Sequence, residues 1–272
     1  MRHITKVISD AKAVKRKLLI PYIVAGDPNI DTSLLLMHQL VEDGADIIEL
    51  GVPFSDPSSD GPVIQKGTER ALEQGVSLMD VLGLVKRFRE QNPNTPVVLM
   101  GYLNPIEIMG YQRFVERASE AGVDGVLLVD MPPAESKELH GLLRAADIDT
   151  IYLVAPTTTK ERAQSIVKVT SGYLYYVSLK GVTGAALIDH TSVADNIKNL
   201  RDMTDLPIMV GFGIKDGKSA TAMAEYADGV IIGSALVAEI AKLTEQEGNS
   251  EFPISQTTAM ISDVRDALDQ MS

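Results

Sequence analysis

The sequence predicts an α/β protein in which eight parallel strands, each followed by helix, close into a single (β/α)8 barrel. Short apolar runs alternate strictly with stretches of helical periodicity along the 272 residues. The runs are continuously apolar, as in parallel sheets covered on both faces, and eight such units at this length fit a closed barrel better than an open doubly wound sheet. An additional N-terminal helix and a closing C-terminal helix complete the predicted fold.

The elements follow in order along the chain. An amphipathic helix comes first, because Ile4, Val7, Ile8, Ala11 and Val14 share one helical face. Strands are then predicted at 18–24, 45–51, 96–101, 125–129, 150–154, 173–177, 207–211 and 229–232. Helical stretches are predicted at 32–43, 62–75 with 78–91, 111–121, 134–146, 160–170, 191–203, 218–226 and 235–246, and the closing helix at 255–270.

A weak internal repeat supports this alternation. Asp46, Asp124 and Asp228 each follow a small turn and stand just before a predicted strand. Self-similarity of this kind is typical of folds that are built from repeated supersecondary units.

Composition narrows the classes of function. No linker divides the chain, so one domain over residues 1–272 is predicted. Cysteine is absent and the four histidines are widely separated, which disfavours disulfides and a metal site built on thiolates or histidines. The net charge of -12 disfavours nucleic acid and anionic membranes as partners. The N-terminus lacks the apolar core of a signal peptide, so a cytoplasmic location is expected.

Two carboxylates near the end of the second strand are the candidates for acid–base chemistry. Glu49 follows Ile47 and Ile48, and the chain then leaves the strand through glycine and proline. Burial among apolar groups raises the pKa of a glutamate toward neutrality, which suits proton transfer, whereas Asp60 in a polar loop is expected to stay ionised. The structural alternative is that Glu49 pairs with a basic side chain and that Asp60 caps the helix beginning at Pro62.

The remaining candidates lie where other strands end, since barrel sites form at that face. By the two-residue period, several side chains at strand ends are expected to face the barrel interior near Glu49. They either line an apolar cavity large enough for an aromatic ring or fill the core. They are Tyr22, Met100, Tyr102, Leu127, Val129, Leu153 and Tyr175. Glycines in 181–184, 211–213 and 233–234 let backbone N–H groups approach an anion closely. Three such loops after consecutive strands predict a phosphate site.

A series of motifs resembles the tryptophan synthase α subunit family almost from end to end. The motifs are Pro21-Tyr-Ile-Val-Ala-Gly-Asp-Pro28, Glu49-Leu-Gly-Val-Pro-Phe-Ser-Asp-Pro57, Asp60-Gly-Pro-Val-Ile-Gln65, Met100-Gly-Tyr-Leu-Asn-Pro105, Asp130-Met-Pro132, Ala155-Pro-Thr-Thr158, Gly181-Val-Thr-Gly184 and Gly211-Phe-Gly213. The resemblance implies a lyase that cleaves indole-3-glycerol phosphate to indole and glyceraldehyde 3-phosphate. It also implies an α2β2 heterotetramer with a β subunit that carries pyridoxal phosphate, and no cofactor on this chain.

The resemblance also implies roles for individual residues. Glu49 would be the general acid and base, and Asp60 would hold the indole N–H and stabilise the positive indolenine. The residues expected around the indole are Tyr22, Met100, Leu127, Tyr175, Thr183 and Phe212, and those expected at the phosphate are Gly184, Gly213, Gly233 and Ser234.

Three positions depart from the family pattern. Ser58 and Ser59 stand where a large apolar residue and alanine are usual, in a loop that faces the β subunit in the family, so altered partner affinity is expected. Leu179 stands where many relatives have arginine, and Tyr22 stands where phenylalanine is common.

Other functions remain possible from the sequence. A Schiff-base aldolase would use Lys180, but this lysine lies in a loop where nothing obvious lowers its pKa. A metal-dependent epimerase lacks histidines at the strand ends. A non-catalytic activator of a β subunit is the third alternative, and the intact pair of Glu49 and Asp60 argues against it.

Overall fold

A computed structural model describes residues 2–177, 190–211, 213–245 and 254–271. Eight parallel strands hydrogen-bond in sequence order and close into a barrel, because β1 pairs with both β2 and β8. The predicted (β/α)8 architecture, that of a TIM barrel, is therefore confirmed. The strands are β1 Leu18–Val24, β2 Ile48–Gly51, β3 Val97–Gly101, β4 Gly125–Leu128, β5 Asp149–Val154, β6 Leu174–Val177, β7 Ile208–Gly211 and β8 Gly229–Ile232.

Twelve helices occur within the described ranges, eleven of them at or near predicted positions. They are α1 His3–Ala13, α2 Ile30–Glu42, α3 Pro62–Glu73, α4 Leu78–Gln91, α5 Leu103–Met109, α6 Tyr111–Ala121, α7 Lys137–Ala145, α8 Lys160–Val169, α9 His190–Arg201, α10 Gly217–Ala224, α11 Ser234–Glu245 and α12 Ile254–Asp269. The sequence did not predict α5. This helix has only seven residues and carries Pro105 in its first turn, where the missing N–H costs nothing.

Helix starts follow local capping chemistry. Asn29 caps α2 by accepting a hydrogen bond from the N–H of Thr32, and Ser77 forms a reciprocal capping box with Asp80 at the start of α4. These caps fix where each helix begins, close to the predicted boundaries.

The barrel interior is apolar and closed at its lower, N-terminal end by α1. Ile4 and Ala11 of this helix are buried in the same cluster as strand residues such as Val98 and Leu127. A Cβ atom at Gly125 would lie 3.0 Å from Cδ1 of Ile4, so this glycine admits the helix against the strands. The extra N-terminal helix is thus the floor of the barrel.

A repeated side-chain contact joins neighbouring strands at this lower end. Each even-numbered strand is preceded, by one to three residues, by a side chain whose oxygen accepts a hydrogen bond. The donor is a backbone N–H near the start of the odd-numbered strand that comes before it in the chain. The four bonds run from Leu19 to Asp46, from Val97 to Asp124 and from Ile208 to Asp228 at 2.8 Å, and from Thr150 to Ser171 at 2.9 Å. The predicted repeat of Asp46, Asp124 and Asp228 is therefore a repeated strand contact.

Each aspartate of this repeat also pairs with arginine. Arg89 bonds Asp124 at 2.5 Å and Arg201 bonds Asp228 at 2.9 Å. Asp46 pairs with Arg16, and with Arg265 of α12 at 3.3 Å. This last pair fixes the closing helix to the floor of the barrel, where α12 also packs against α2, α10 and α11.

Candidate active site

Glu49 lies inside the barrel on β2 and is fully buried. Its Oε1 accepts a 2.7 Å hydrogen bond from the hydroxyl of Tyr173, and its buried Oε2 has no hydrogen-bond partner among the described residues. Burial raises the pKa of Glu49 to about 7, and the bond from Tyr173 opposes this rise. No ion pair reaches the carboxyl within the described ranges, so the expected desolvated acid is present and the structural alternative, a paired Glu49, is not.

Tyr173 is the contact that sequence reasoning missed. It stands immediately before β6, which is four strands away from β2 and therefore on the opposite side of the barrel. Side chains of alternate strands meet in layers at the axis of such barrels. A signal was available, because Tyr173 shares its face with Tyr175 by the two-residue period.

Asp60 lies in the loop between β2 and α3, near the barrel mouth. The hydroxyl of Tyr102 donates to its Oδ2 at 3.1 Å. Burial raises the pKa of Asp60 above its ordinary value, and the bond from Tyr102 opposes this. The N-cap of α3 is Gly61 and no side chain caps it, so Asp60 does not have the capping role of the structural alternative.

The surroundings of Asp60 are more aromatic than the sequence indicated. The rings of Phe54 and Tyr102 lie 5.3 Å apart beside the loop. The Gly/Ser/Asp loop predicted polar surroundings for Asp60, but tertiary packing places Tyr102, which directly follows β3, against it. Burial therefore raises the pKa of both acids, and Glu49 is the more deeply buried of the two.

Asp60 shares a cavity with several predicted wall residues. Its volume is about 10 Å³, which is room for about one water molecule between the side chains that line it. The lining residues are Tyr22, Val52, Phe54, Pro57, Asp60, Thr68, Met100, Gly101, Tyr102 and Val129. Leu127 and Tyr175 belong to the barrel interior that also contains Met100 and Val129. Asp60 and part of the predicted wall therefore share one cavity, and Tyr22 lies close enough to both acids for their charges to raise its pKa.

Two tyrosines occupy space that glycines leave open on the neighbouring strands. A Cβ atom at Gly51 would lie 2.2 Å from the Tyr22 hydroxyl, and one at Gly211 would lie 2.3 Å from the Tyr175 hydroxyl. Burial raises the pKa of both tyrosines well above its ordinary value, and the charges of the nearby carboxyls add to this. Both phenols are therefore neutral walls of the site.

Three of the four predicted phosphate residues, Gly213, Gly233 and Ser234, lie within the described residues. Gly213 has a φ of +72°, which a side chain would disfavour. Gly233 directly precedes α11, which begins at Ser234, and a Cβ atom at Gly233 would lie 3.6 Å from the ring of Tyr22. A helix N-terminus thus lies beside the proposed indole wall, where it favours an anion. Thr183, Gly184 and Phe212 lie outside the described residues, as do Leu179 and Lys180.

The loop that carries Asp60 is tied to the body of the barrel. Gln65 of α3 donates to the carbonyl of Asp60 at 2.8 Å. Arg70, also on α3, binds the buried Asp27 after β1 through two hydrogen bonds of 2.8 and 2.7 Å. Bidentate pairs of this kind fix geometry as well as charge.

The described ranges contain neither a cluster of metal-binding side chains nor a helix that could span a membrane. No group of three or more His, Cys, Asp or Glu side chains there is arranged to hold a metal ion. No helix there is long and apolar enough to span a membrane.

Comparison with known proteins gives consistent matches over the whole barrel. The family model described as tryptophan synthase alpha chain matches residues 8–266. The tryptophan synthase alpha chain of Thioalkalivibrio sulfidiphilus (strain HL-EbGR7) is 52% identical over 269 residues, which cover 99% of this chain and 100% of that protein. That of Marinobacter nauticus is 50% identical over 272 residues, all of both chains. The crystal structure of tryptophan synthase subunit alpha from Legionella pneumophila str. Paris has a TM-score of 0.91 at 44% identity, with 99% of each chain covered.

Proposed function

The chain belongs to the tryptophan synthase alpha chain family, and from this premise we propose that Glu49 and Asp60 are its catalytic residues. It is a carbon–carbon lyase that cleaves indole-3-glycerol phosphate to indole and glyceraldehyde 3-phosphate, and the indole is used by the β subunit in tryptophan synthesis. The observation that carries the residue assignment is the buried carboxyl of Glu49, whose pKa of about 7 suits it both to give and to take a proton.

Glu49 acts in both proton transfers. Protonated Glu49 gives its proton to C3 of the indole ring, which places a positive charge on the ring nitrogen. The resulting carboxylate then accepts the proton of the hydroxyl on the carbon attached to C3. As that C–C bond breaks, its electrons return to the ring and an aldehyde forms, so charge and protons balance. Burial supplies the raised pKa that the first step requires.

Asp60 stabilises the charge that develops between these steps. Its ionised carboxylate accepts the indole N–H and faces the positive indolenine, and this interaction is strongest when the ring is protonated. Because Asp60 shares its cavity with Tyr22 and Met100, the acid lies beside the proposed indole wall.

The remaining substrate contacts follow the polarity of the site. We assign the indole to the wall formed by Tyr22, Met100, Leu127 and Tyr175 together with Thr183 and Phe212, and the phosphate to Gly184, Gly213, Gly233 and Ser234. The N-terminus of α11 supports the phosphate assignment, since it lies at the strand ends next to Tyr22.

A β subunit is the protein partner implied by the family. We propose an α2β2 heterotetramer in which the β subunit carries pyridoxal phosphate, and a single-domain α chain that works in the cytoplasm. The loop between β2 and α3 is the proposed contact, because Ser58 and Ser59 are exposed on it.

The test is indole release from indole-3-glycerol phosphate by the full chain, with and without a tryptophan synthase β subunit. Glu49→Gln should lower the rate by about 10²–10⁴-fold, the usual contribution of a general acid–base group. The rate of the unaltered enzyme should fall as pH rises through about 7, where Glu49 loses its proton.

Glu107→Gln is the matched control, since Glu107 is an exposed carboxyl that also accepts a tyrosine hydrogen bond, from Tyr111 at 3.0 Å. It should leave the rate unchanged. Full activity in Glu49→Gln would overturn the assignment of Glu49, and equal losses in both variants would point to a general effect on folding.

A further inference from the structure

Tyr102 connects β3 to the loop that carries Asp60. It follows β3 directly, is 6% exposed, and its ring lies 5.3 Å from that of Phe54 in the loop. The side chain therefore already has a packing role. Its hydroxyl has a separate role, in hydrogen bonding, which packing of the ring does not require.

The Tyr102 hydroxyl makes two hydrogen bonds to consecutive loop residues. It accepts one from the backbone N–H of Ser59 at 3.0 Å and donates one to Oδ2 of Asp60 at 3.1 Å. The N–H of Ser59 fixes the direction of a lone pair on the hydroxyl, and Asp60 fixes the direction of its O–H bond. Both hydrogen bonds can therefore form in only one orientation of the loop. Backbone and carboxylate are held together.

This arrangement leaves the two oxygens of Asp60 unequal. Oδ2 is engaged by Tyr102, whereas no hydrogen bond from the described part of the chain reaches Oδ1. Asp60 and Tyr102 line the same cavity, together with Tyr22 and Met100. A carboxylate with one oxygen fixed presents the other in a defined direction, which is the preorganisation that charge stabilisation needs.

We propose that Tyr102 is a positioning residue that orients Asp60 toward the indole nitrogen through its hydroxyl. The inference rests on the role proposed above for Asp60. A purely structural Tyr102 would act through its ring, so removal of the hydroxyl alone separates the two roles.

The decisive variant is Tyr102→Phe, which keeps the ring against Phe54 and removes both hydrogen bonds. Measured by indole release in the full chain, kcat should fall about tenfold, as expected for one hydrogen bond to a charged group, while KM changes less than about twofold. Tyr111→Phe is the matched control, because it removes an exposed hydroxyl bond to Glu107. It should leave both constants unchanged.

The pH dependence of kcat is a second measurement, and it would not change if Tyr102 had only a packing role. The bond from Tyr102 lowers the pKa of Asp60, so its loss should raise that pKa and shift the acidic limb of kcat to higher pH. The basic limb, which belongs to Glu49, should stay in place.

A double-mutant cycle tests whether Tyr102 acts through Asp60. In an Asp60→Ala background, Tyr102→Phe should cause no further loss of kcat, and independent multiplication of the two losses would overturn the inference. If Asp60→Ala is fully active, the proposed role of Asp60 fails and this inference fails with it. If Asp60→Ala is impaired while Tyr102→Phe matches the unaltered enzyme, only the inference about Tyr102 fails.

Discussion

Glu49 shows how a single carboxyl acquires a useful pKa without a charged neighbour. Among the described residues the other two buried acids each have a basic partner, Arg70 beside Asp27 and Arg2 beside Asp149. Glu49 instead has the phenol of Tyr173, which is a weaker stabiliser of negative charge than a cation. Desolvation therefore dominates, and the acid retains its proton up to about pH 7.

This desolvation should be measurable as a stability difference. The pKa of Glu49 is about 7 in the folded chain, against an ordinary value of 4.5. Since the folded state holds the proton more tightly, stability should fall as pH rises from about 4.5 to 7, by about 3 kcal/mol in total. Glu49→Gln removes this loss, so it should gain about 3 kcal/mol relative to the unaltered chain between pH 4 and pH 8.

Urea unfolding at a series of pH values checks this prediction. Glu107→Gln, a substitution of an exposed carboxyl, should show no comparable pH-dependent difference. A constant difference between Glu49→Gln and the unaltered chain across this range would show that Glu49 is not destabilised by burial.

The contacts before the even-numbered strands stabilise the lower end of the barrel. Parallel strands leave a backbone N–H without a ladder partner where a strand begins, and an unpaired buried N–H is costly. Asp46, Asp124, Ser171 and Asp228 each satisfy one of these groups. The lower face is therefore stabilised by repeated local chemistry, and the upper face is left free to carry the site.

The four contacts should differ in strength according to their charge and burial. Asp124→Ala removes the partner of both Val97 N–H and Arg89 and should cost about 3 kcal/mol of unfolding free energy. Ser171→Ala removes one neutral bond to Thr150 N–H and should cost about 1 kcal/mol.

Asp10→Ala, which removes an exposed pair with Lys6, serves as the control and should stay within about 0.5 kcal/mol of the unaltered chain. Unfolding midpoints in urea give the comparison. Equal costs for Asp124→Ala and Asp10→Ala would contradict the proposed role of the strand contacts.

The upper face of the barrel carries the candidate site, and we propose that it also carries the partner contact. The loop between β2 and α3 carries Asp60, the proposed catalytic residue, beside the cavity and carries Ser58 and Ser59 exposed at the surface. Ile108 of α5, the helix that directly follows Tyr102, is 82% exposed. A partner that binds this loop would thus act on the position of Asp60.

The serines should make this contact weaker than an apolar loop would. Restoring the family pattern with Ser58→Leu and Ser59→Ala should lower the half-saturating concentration in a β-subunit activation assay about tenfold, the equivalent of ~1.4 kcal/mol of added apolar burial. The backbone N–H of Ser59 that binds Tyr102 is retained in this variant.

Ser119→Leu places an added leucine on an exposed position of α6 instead and should leave the titration unchanged. Identical curves for the loop variant and the unaltered chain would contradict a role for the serines in partner affinity.

Local sequence features were sufficient for the order of the elements. These features act between residues that are close in the chain, and the structure has the corresponding strands and helices. They are the continuous apolar runs, capping residues such as Asn29, and the aspartate before each of three strands. The short helix α5 was missed because seven residues with a proline give no clear periodicity. The end of an apolar strand and the polar loop after it predicted acid–base chemistry for Glu49 and Asp60, and the motif resemblance implied their specific roles.

The sequence by itself determined the barrel, its additional N-terminal helix and an acid at the end of an apolar strand, because these depend on spacing along the chain. Only the tertiary structure decided which groups surround that acid. Glu49 and Tyr173 are 124 positions apart, and Asp60 and Tyr102 are 42 apart. The first contact crosses the barrel between β2 and the start of β6, and the second joins the loops that follow the paired strands β2 and β3. Both depend on how the strands are arranged in space, so no local pattern encodes the resulting distances.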